Sequence, residues 1–483
     1  MSSTYFIRGA TVVSIDPVIG TVSDCDVLIQ GEDIKAVGPN LEAPNDAVII
    51  DGTDAIVSPG FVDTHRHTWQ IQLRCVTCDF SLFEYFLHIR NKFGSCYLPE
   101  DVYLGNYCGA LESLDNGITC LVDHCHILNS PDHSDAAVRG LQDAQIRGAF
   151  CYGLYRNPKY AWTPDGVLTD AAEPDWRLDD AKRVREKFFS RENAATDLLR
   201  FGFAPAEIER SSLEQSIKEV EYGRSLGAAV ITAHASMGKY DKGYHLVRRL
   251  HERKLLKPDL LLSHCASLHD DELQAVRETG VSLSSTPDTE LQMGMGQPVA
   301  FKARKHGCIC SIGVDIVSNN PADMFQQMRL ILQAQRHKDN EAADGSPLKV
   351  SHTCFDVLTL ATLGGAEAMG LKEVVGSVTP GKKADLLITK CTSTRMTPVN
   401  DPVAALVLYA NASDIDTVFV NGKMVKENGQ LAGIKWPEVR KKLVKSSNDI
   451  MERARAADMD EITHRVLSVY NPVGGYNAKN AHI

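Results

Sequence analysis

The chain has 483 residues, of which 43% are hydrophobic and 23% charged, and its formal net charge is -11. This composition is typical of a soluble globular protein. The length favours one large domain with a smaller domain added. The acidic balance argues against nucleic acid as a partner. No apolar run approaches the roughly 20 residues of a membrane helix, and the first residues lack the pattern of a secretory signal. We therefore expect a cytoplasmic protein that binds neither nucleic acid nor membrane.

The cysteines support the same compartment. Thirteen are scattered along the chain without a framework pattern, which favours reduced, mostly buried thiols in an intracellular protein. Cys75 and Cys78 form a single C-x-x-C. Without a second pair this is a weak signal for a redox or zinc site.

Both flanks of the chain have short-strand character. Residues 1–58 alternate between strand-like runs and turns, and 376–435 do the same, with Asn-Gly turn signals at 421–422 and 428–429. We expect the two flanks to combine into one small β-sandwich domain. The tail, 436–483, has a charged amphipathic pattern and predicts helix that packs on the body or on a partner subunit. A homo-oligomer, dimer or tetramer, is expected.

Residues 59–375 contain eight short β-rich runs separated by amphipathic helical patterns. The runs are 60–65, 119–124, 148–154, 200–205, 229–234, 259–264, 281–285 and 308–315. Strands that alternate with helices predict parallel βαβ units, and eight such units have the size of a TIM-type barrel. The predicted fold class is therefore α/β, a (β/α)8 barrel with a β-sandwich formed from both chain ends.

Titratable side chains collect where five of these runs end. They are His65 and His67, then Asp123, His124 and His126, then His234, His264 and Asp315. Alternate residues of a strand share a face, so His65 and His67 project together while Arg66 points away and pairs with an acidic neighbour. On spacing alone this pair is half of a metal site or two ordinary histidines. Because strand carboxyl ends form the active-site face of the barrel, the whole set predicts a metal site.

Several segments resemble, in order, the signatures of the amidohydrolase superfamily. They are SPGFVDTHRH, TAHAS, LLSHCASLHDDEL, GVDIVSNNPADMFQQMR and ATLGGAEAMGLKEVVGSVTPGKKADLLI. The resemblance is to the branch with cytosine, guanine and S-adenosylhomocysteine deaminases and triazine hydrolases. It implies a barrel that hydrolyses a C–N bond in a small molecule, namely a cyclic amide, an amidine or an aminated heterocycle.

The resemblance also implies roles for particular residues. One divalent metal, zinc before iron or manganese, would be held by His65, His67, His234 and Asp315. Asp315 would take the proton from the metal's water, whose pKa a bound ion can bring from 15.7 to about 7. His264 would hydrogen-bond the water or stabilise the developing oxyanion.

One departure from the branch concerns its proton shuttle. The branch carries H-x-x-E after the fifth strand, whereas this chain reads His-Ala-Ser-Met at 234–237. Met237 cannot transfer a proton, so deamination and amide or ring hydrolysis both stay open. Glu207, two residues after Pro205, is a candidate for the missing acid. Alternatively it begins the following helix, with Ser211 or Ser212 capping the next turn.

Four further residues are candidate substrate contacts. Guanine deaminases carry a similarly placed glutamine that contacts the base, which points to Gln70 and its neighbour Trp69; the alternative is a loop packed in the barrel mouth. His124 and His126 are either substrate-facing or structural.

Two other functions compete with C–N hydrolysis. One is metal-assisted decarboxylation or C–C cleavage in the same barrel. The other is a metal-free barrel used for binding or assembly, against which the intact set of histidines and aspartate argues.

Overall fold

The computed structural model describes residues 4–470 apart from 156, 158–175, 208–210 and 242. The strands of this part form two sheets. In chain order they are β1 (Thr4–Val13), β2 (Thr21–Gln30), β3 (Asp33–Gly38), β4 (Val48–Asp51), β5 (Ala55–Pro59), β6 (Phe61–Arg66), β7 (Ile118–Cys125), β8 (Arg147–Gly153), β9 (Leu199–Ala204), β10 (Ile231–Ala235), β11 (Leu260–His264), β12 (Ser282–Ser285), β13 (Ile309–Ile312), β14 (Leu386–Lys390), β15 (Ile415–Val420), β16 (Lys423–Glu427) and β17 (Gln430–Leu431).

The eight strands β6 to β13 are the eight predicted runs, and they pair in chain order as one parallel sheet. The sheet closes where the two edge strands meet. The Asp315 N–H donates to the His65 carbonyl at 2.8 Å, and the His67 N–H donates to the Asp315 carbonyl at 2.9 Å. The barrel prediction is therefore confirmed, and its closing seam runs through three of the predicted site residues.

Helices follow most barrel strands and cover the outside of the sheet, and three more helices of the described part of the chain follow β14 near its end. They are α1 (Leu82–Tyr85), α2 (Pro99–Asp115), α3 (Pro131–Ala144), α4 (Trp176–Phe188), α5 (Leu213–Ser225), α6 (Leu246–Glu252), α7 (Asp270–Thr279), α8 (Pro287–Gln292), α9 (Ala300–Lys305), α10 (Met324–Glu341), α11 (Cys354–Leu360), α12 (Leu363–Ala368), α13 (Pro402–Ala404), α14 (Trp436–Ala454) and α15 (Met459–Tyr470). None of the helices in these ranges has the length and apolar character needed to cross a bilayer.

The second sheet draws its strands from both flanks, as expected. It has nine strands in the order β17-β16-β15-β14-β5-β1-β2-β3, with β4 paired to β1. The flanks therefore meet at the antiparallel β5–β14 pair, where Val57 lies opposite Ile388. The domain expected as a β-sandwich from both chain ends is a single mixed sheet. The exact domain boundaries at 58, 375 and 435 stay a prediction.

The C-terminal helix α14 packs on the barrel, which is one of the two placements expected for the tail. Ser446 donates to Asp101 Oδ1 at 2.6 Å, and Gln72 donates to the Ser446 hydroxyl at 3.2 Å. Arg453 forms an ion pair with the same Asp101. Residues 471–483 of the predicted tail lie outside the described residues.

Candidate active site

The nitrogen and oxygen atoms of the predicted metal ligands converge at the carboxyl end of the barrel. His234 Nε2 lies 3.3 Å from His67 Nε2. Asp315 Oδ1 lies 3.4 Å from His65 Nε2 and 3.5 Å from His67 Nε2. A tetrahedral zinc ion with Zn–N bonds of about 2.0–2.1 Å separates its ligand nitrogens by about 3.4 Å. The donor spacing therefore fits one such ion, and we call His65, His67, His234 and Asp315 the ligand cluster.

Each of the three imidazoles is held by its other nitrogen. His67 Nδ1 donates to the His124 carbonyl at 2.8 Å, and His234 Nδ1 donates to Glu207 Oε1 at 2.8 Å. The Ser263 hydroxyl lies 2.8 Å from His65 Nδ1. Anchoring Nδ1 in this way fixes the ring and leaves Nε2 available as a ligand. His65 Nε2 is buried and has no hydrogen-bond partner among the described residues, which is the signature of a site built for a cation.

The protonation states suit metal binding as well. Burial lowers the pKa of His65 to about 4, although Asp315 acts in the opposite direction. Burial also holds the pKa of His67 well below its ordinary value. For Asp315, burial alone would raise the pKa, but the contacts with His65, then His264 and His67, lower it below the ordinary range. Neutral imidazoles beside an ionised carboxylate are the forms that coordinate metals.

The backbone is strained at two of the catalytic candidates. Asp315 has a φ of 70° and His264 a φ of 72°. Residues with a Cβ rarely adopt this left-handed region, and such outliers cluster at functional sites. Gly313 sits in the same seam, where an added Cβ would lie 2.7 Å from the His65 nitrogen. The sequence Gly-Val-Asp thus lets the last barrel strand approach the first closely enough to present Asp315.

His264 approaches the same centre from β11 and is backed by acceptors. Its Nδ1 lies 3.0 Å from the Thr286 hydroxyl and 3.5 Å from Glu290 Oε1. Burial lowers the pKa of His264, but Glu290 and then Asp315 raise it more, so the net shift is upward. A ring that carries its proton at this position can donate to an oxyanion.

Glu207 lines the cavity. Residues 208–210 lie outside the described residues, so the alternative that Glu207 begins a helix is not tested. Helix α5 begins at Leu213, and Ser212 caps it by accepting from the Gln215 N–H at 3.2 Å. Glu219 on the same helix accepts from the Ala206 N–H at 2.8 Å and so holds the turn after β9. This turn directs Glu207 to His234. A role of Glu207 as the catalytic acid stays a prediction. Its contact with His234 orients one of the predicted metal ligands.

The four predicted substrate contacts occupy different depths. His126 lines the cavity, and its ring stacks on His67 with centroids 4.1 Å apart. His124 is fully buried and stacks on His234 at 4.5 Å. Trp69 and Gln70 are buried behind the wall, where Trp69 Nε1 donates to His126 Nδ1 at 3.1 Å and Gln70 Nε2 donates to the Tyr85 hydroxyl at 2.8 Å. Both residues reach the cavity through a neighbour, so their direct contact with substrate stays a prediction.

Arg66 forms the ion pair with an acidic neighbour that was expected for it. Arg66 points away from the ligand cluster, and its NH2 donates to Glu112 Oε2 and to the Gly109 carbonyl, each at 3.1 Å. The alternation of the strand directs the Arg66 guanidinium away from the cavity. Its contacts with Glu112 and Gly109 compensate its charge there.

The wall opposite the ligand cluster was not predicted. Together with the ligand cluster it encloses the cavity. Its apolar part comprises Leu82, Phe86, Met293 and Met295, and Tyr85 and Arg90 add polar groups. The signal in the sequence was a single arginine at the end of the largely apolar run FLHIR.

Comparison with known proteins gives the family. The sequence model of the amidohydrolase family matches residues 56–425, which is more than half of the chain. A 5-methylthioadenosine/S-adenosylhomocysteine deaminase from Acetivibrio thermocellus is 27% identical over 401 residues, which are 81% of this chain and 86% of that one. A 5'-deoxyadenosine deaminase from Methanosarcina mazei is 26% identical over 457 residues, 93% of this chain and 99% of the relative.

Solved structures share the fold. An adenosine deaminase from Xanthomonas campestris with bound zinc has a TM-score of 0.79 at 22% identity, covering 94% of this chain and 99% of its own. A variant of atrazine chlorohydrolase from Arthrobacter aurescens, complexed with zinc and atraton, has a TM-score of 0.80 at 21% identity, covering 92% and 100%. Because the family match covers the whole barrel and more than half of the chain, the chain belongs to the amidohydrolase family and is a hydrolytic enzyme.

Proposed function

We propose that this protein hydrolyses a C–N bond of a cyclic amide, an amidine or an aminated heterocycle with the help of one divalent ion, zinc first. The observation that carries the proposal is the convergence of three anchored imidazoles on one point at the cavity, with Asp315 beside two of them. His65, His67, His234 and Asp315 would hold the ion. When bound, a divalent ion supplies Lewis acidity, which lowers the pKa of a coordinated water from 15.7 to about 7.

The residues around that point have complementary tasks. Asp315 accepts a proton from the attacking water, whose oxygen forms a bond to the substrate carbon. In a cyclic amide, His264 donates to the carbonyl oxygen on which negative charge develops. In an aminated heterocycle that charge develops on a ring nitrogen, and His264 donates to the attacking oxygen instead. The C–N bond then breaks, and the proton held by Asp315 passes to the leaving nitrogen. Glu207 keeps His234 oriented throughout, since its carboxylate accepts from His234 Nδ1.

The proposal covers two kinds of C–N bond, one to an exocyclic amino group and one within a ring. The curated relatives described above are deaminases, which supports removal of an exocyclic amino group. Met237, which lines the cavity where the related branch carries a glutamate, supports opening of a cyclic amide, where no ring nitrogen of an aromatic base needs a proton. Decarboxylation and C–C cleavage have no such support from the relatives.

A panel of substrates tests this proposal. Aminated purines, pyrimidines and triazines are assayed for released ammonia, and cyclic amides and ureides for ring-opened products by mass spectrometry. Turnover that depends on added zinc, iron or manganese in either group supports C–N hydrolysis and identifies the bond. A metal-loaded protein that decarboxylates or cleaves C–C bonds in carboxylated members, with neither ammonia nor ring opening, contradicts it.

The compartment and the assembly remain part of the proposal. All thirteen cysteines are free, and ten of them are buried, which suits the reducing cytoplasm. We propose a cytoplasmic enzyme. Its assembly as a dimer or tetramer is an expectation that size-exclusion chromatography with light scattering checks.

A further inference from the structure

Arg90 is a cation in an otherwise largely apolar wall. It ends the short helix Phe86–Arg90, is 9% exposed and lines the cavity that contains the ligand cluster. Its NH1 donates to the His126 carbonyl at 3.3 Å, and its guanidinium carbon lies 4.9 Å from the centre of the Tyr155 ring. Among the described residues no carboxylate oxygen comes within 4.0 Å of its nitrogens.

Within the described part of the chain, this buried guanidinium lacks its usual carboxylate partner. One long hydrogen bond and one ring face offset only part of the cost of removing the charge from water. Burial lowers the pKa of Arg90 from its ordinary value, whereas Tyr85, Tyr155 and Glu207 raise it less. Glu207 does not supply the missing ion pair, because its Oε1 accepts from His234 and its distance to Arg90 exceeds that of a salt bridge.

Arg200 shows what distinguishes Arg90. It is also buried and without an ion pair among the described residues, and its NH2 donates to the Met369 carbonyl at 2.8 Å. Arg200 lies near the start of β9, at the end of the barrel opposite the strand ends that carry the ligands. Burial without a carboxylate is therefore tolerated elsewhere. Among the described residues, Arg90 is the one such guanidinium that lines the cavity proposed to bind substrate.

We propose that Arg90 binds a carboxylate on the substrate, so that the enzyme acts on an anionic heterocycle. This proposal rests on the proposed function and names its substrate class. The planar fork of arginine matches a carboxylate with two parallel hydrogen bonds. His126 connects the two ends of the site, since its carbonyl accepts from Arg90 and its ring stacks on His67. The carboxylate therefore lies on the far side of a small ring from the C–N bond that is hydrolysed.

A matched pair of ligands tests the proposal on the metal-loaded full chain. Pyridine-3-carboxylate and pyridine-3-carboxamide differ in charge and little in shape, and calorimetry measures the affinity of each. A hydrogen bond to a charged group contributes about 1.5–3 kcal/mol, so we expect the carboxylate to bind about tenfold tighter or more. Arg90→Gln should abolish that preference, and Arg200→Gln should keep it.

The remaining outcomes are equally definite. Arg90→Met keeps an apolar stem against Tyr155 and serves as the second charge-free variant if Arg90→Gln does not fold. Equal affinities in the wild type overturn the proposal. A preference that persists in the charge-free variant with unchanged metal content also overturns it and assigns the carboxylate to the metal or the surface. Because binding is measured without turnover, failure of the C–N assay leaves this result readable by itself.

Discussion

The two walls of the cavity are built differently. The wall with the ligand cluster consists of strand ends, and its side chains are fixed by the barrel register and by hydrogen bonds to Nδ1 of each histidine. The opposite wall consists of connecting segments that supply Leu82, Phe86, Arg90 and Met293. In a barrel enzyme the strand ends set the chemistry and the loops set the substrate. The difference suggests that the reaction follows from the family, whereas selectivity is particular to this chain.

The largest expected effect on the strand-end wall comes from Asp315→Asn. Asparagine tolerates the positive φ of this position, so the fold is retained while the proton acceptor is lost. Turnover should fall by about 10²–10⁴-fold. Steady-state kinetics at verified metal content measure it. Near wild-type turnover with metal bound would remove Asp315 from the role of base.

Glu207→Gln separates an orienting role from an acid role. If Glu207 only orients His234, loss of its charge should weaken metal affinity by about 10–100-fold, and turnover should return when the metal is supplied in excess. If it is the missing acid, turnover should stay about 10²-fold down at full metal occupancy. Glu221→Gln, an exposed carboxylate on α5, is the control. A variant that matches this control in both readouts would leave Glu207 without either role.

Gly313→Ala tests whether the closing seam fixes the ligand wall. The added Cβ would meet the His65 nitrogen at 2.7 Å and the His65 carbonyl oxygen at 2.8 Å. Overpacking of this kind costs about 1–3 kcal/mol of the free energy of unfolding, which denaturant titration measures. Gly38→Ala, where the nearest atom lies 3.9 Å away, is the matched control. Equal stabilities of the two variants would contradict the tight seam.

The smallest expected effect comes from Gln70, which is buried behind the cavity and supports Tyr85 of the opposite wall. Gln70→Met removes the hydrogen bond to Tyr85 and the one that Gln70 accepts from Ser318. Of these two bonds, the one to Tyr85 positions a residue that lines the cavity. With about 1 kcal/mol for that bond, KM should rise by about fivefold with little change in kcat. Gln72→Met, which contacts α14 instead of the cavity, should leave KM unchanged. A loss in kcat as large as that of Asp315→Asn would make Gln70 part of the reacting centre.

The same contrast explains what the sequence allowed us to predict. All eight barrel strands were predicted to within a few residues, because buried parallel strands are short apolar runs. Asp315 was predicted as part of the last run, whereas β13 ends at Ile312 and the aspartate follows in a strained turn. The ligand set followed from the strand ends and the family motifs.

The opposite wall follows from no local pattern. Arg90 is 25 residues after His65 in sequence, and only the path of the connecting helices brings it to the cavity. The contact between Glu207 and His234 depends on the turn that Glu219 holds, which a single sequence does not encode in any recognisable spacing. Trp69 and Gln70 were predicted from a motif, and the structure places both one layer behind the surface they were expected to form.

The central claim is that His65, His67, His234 and Asp315 hold one catalytic ion. Elemental analysis of the purified protein and of His67→Ala, after reconstitution with zinc, iron or manganese, tests it most directly. We expect one ion per chain in the wild type, and loss of both the ion and the turnover in the variant, with the circular dichroism spectrum unchanged. A wild type without metal after reconstitution, or a variant with full occupancy and activity, would contradict the account.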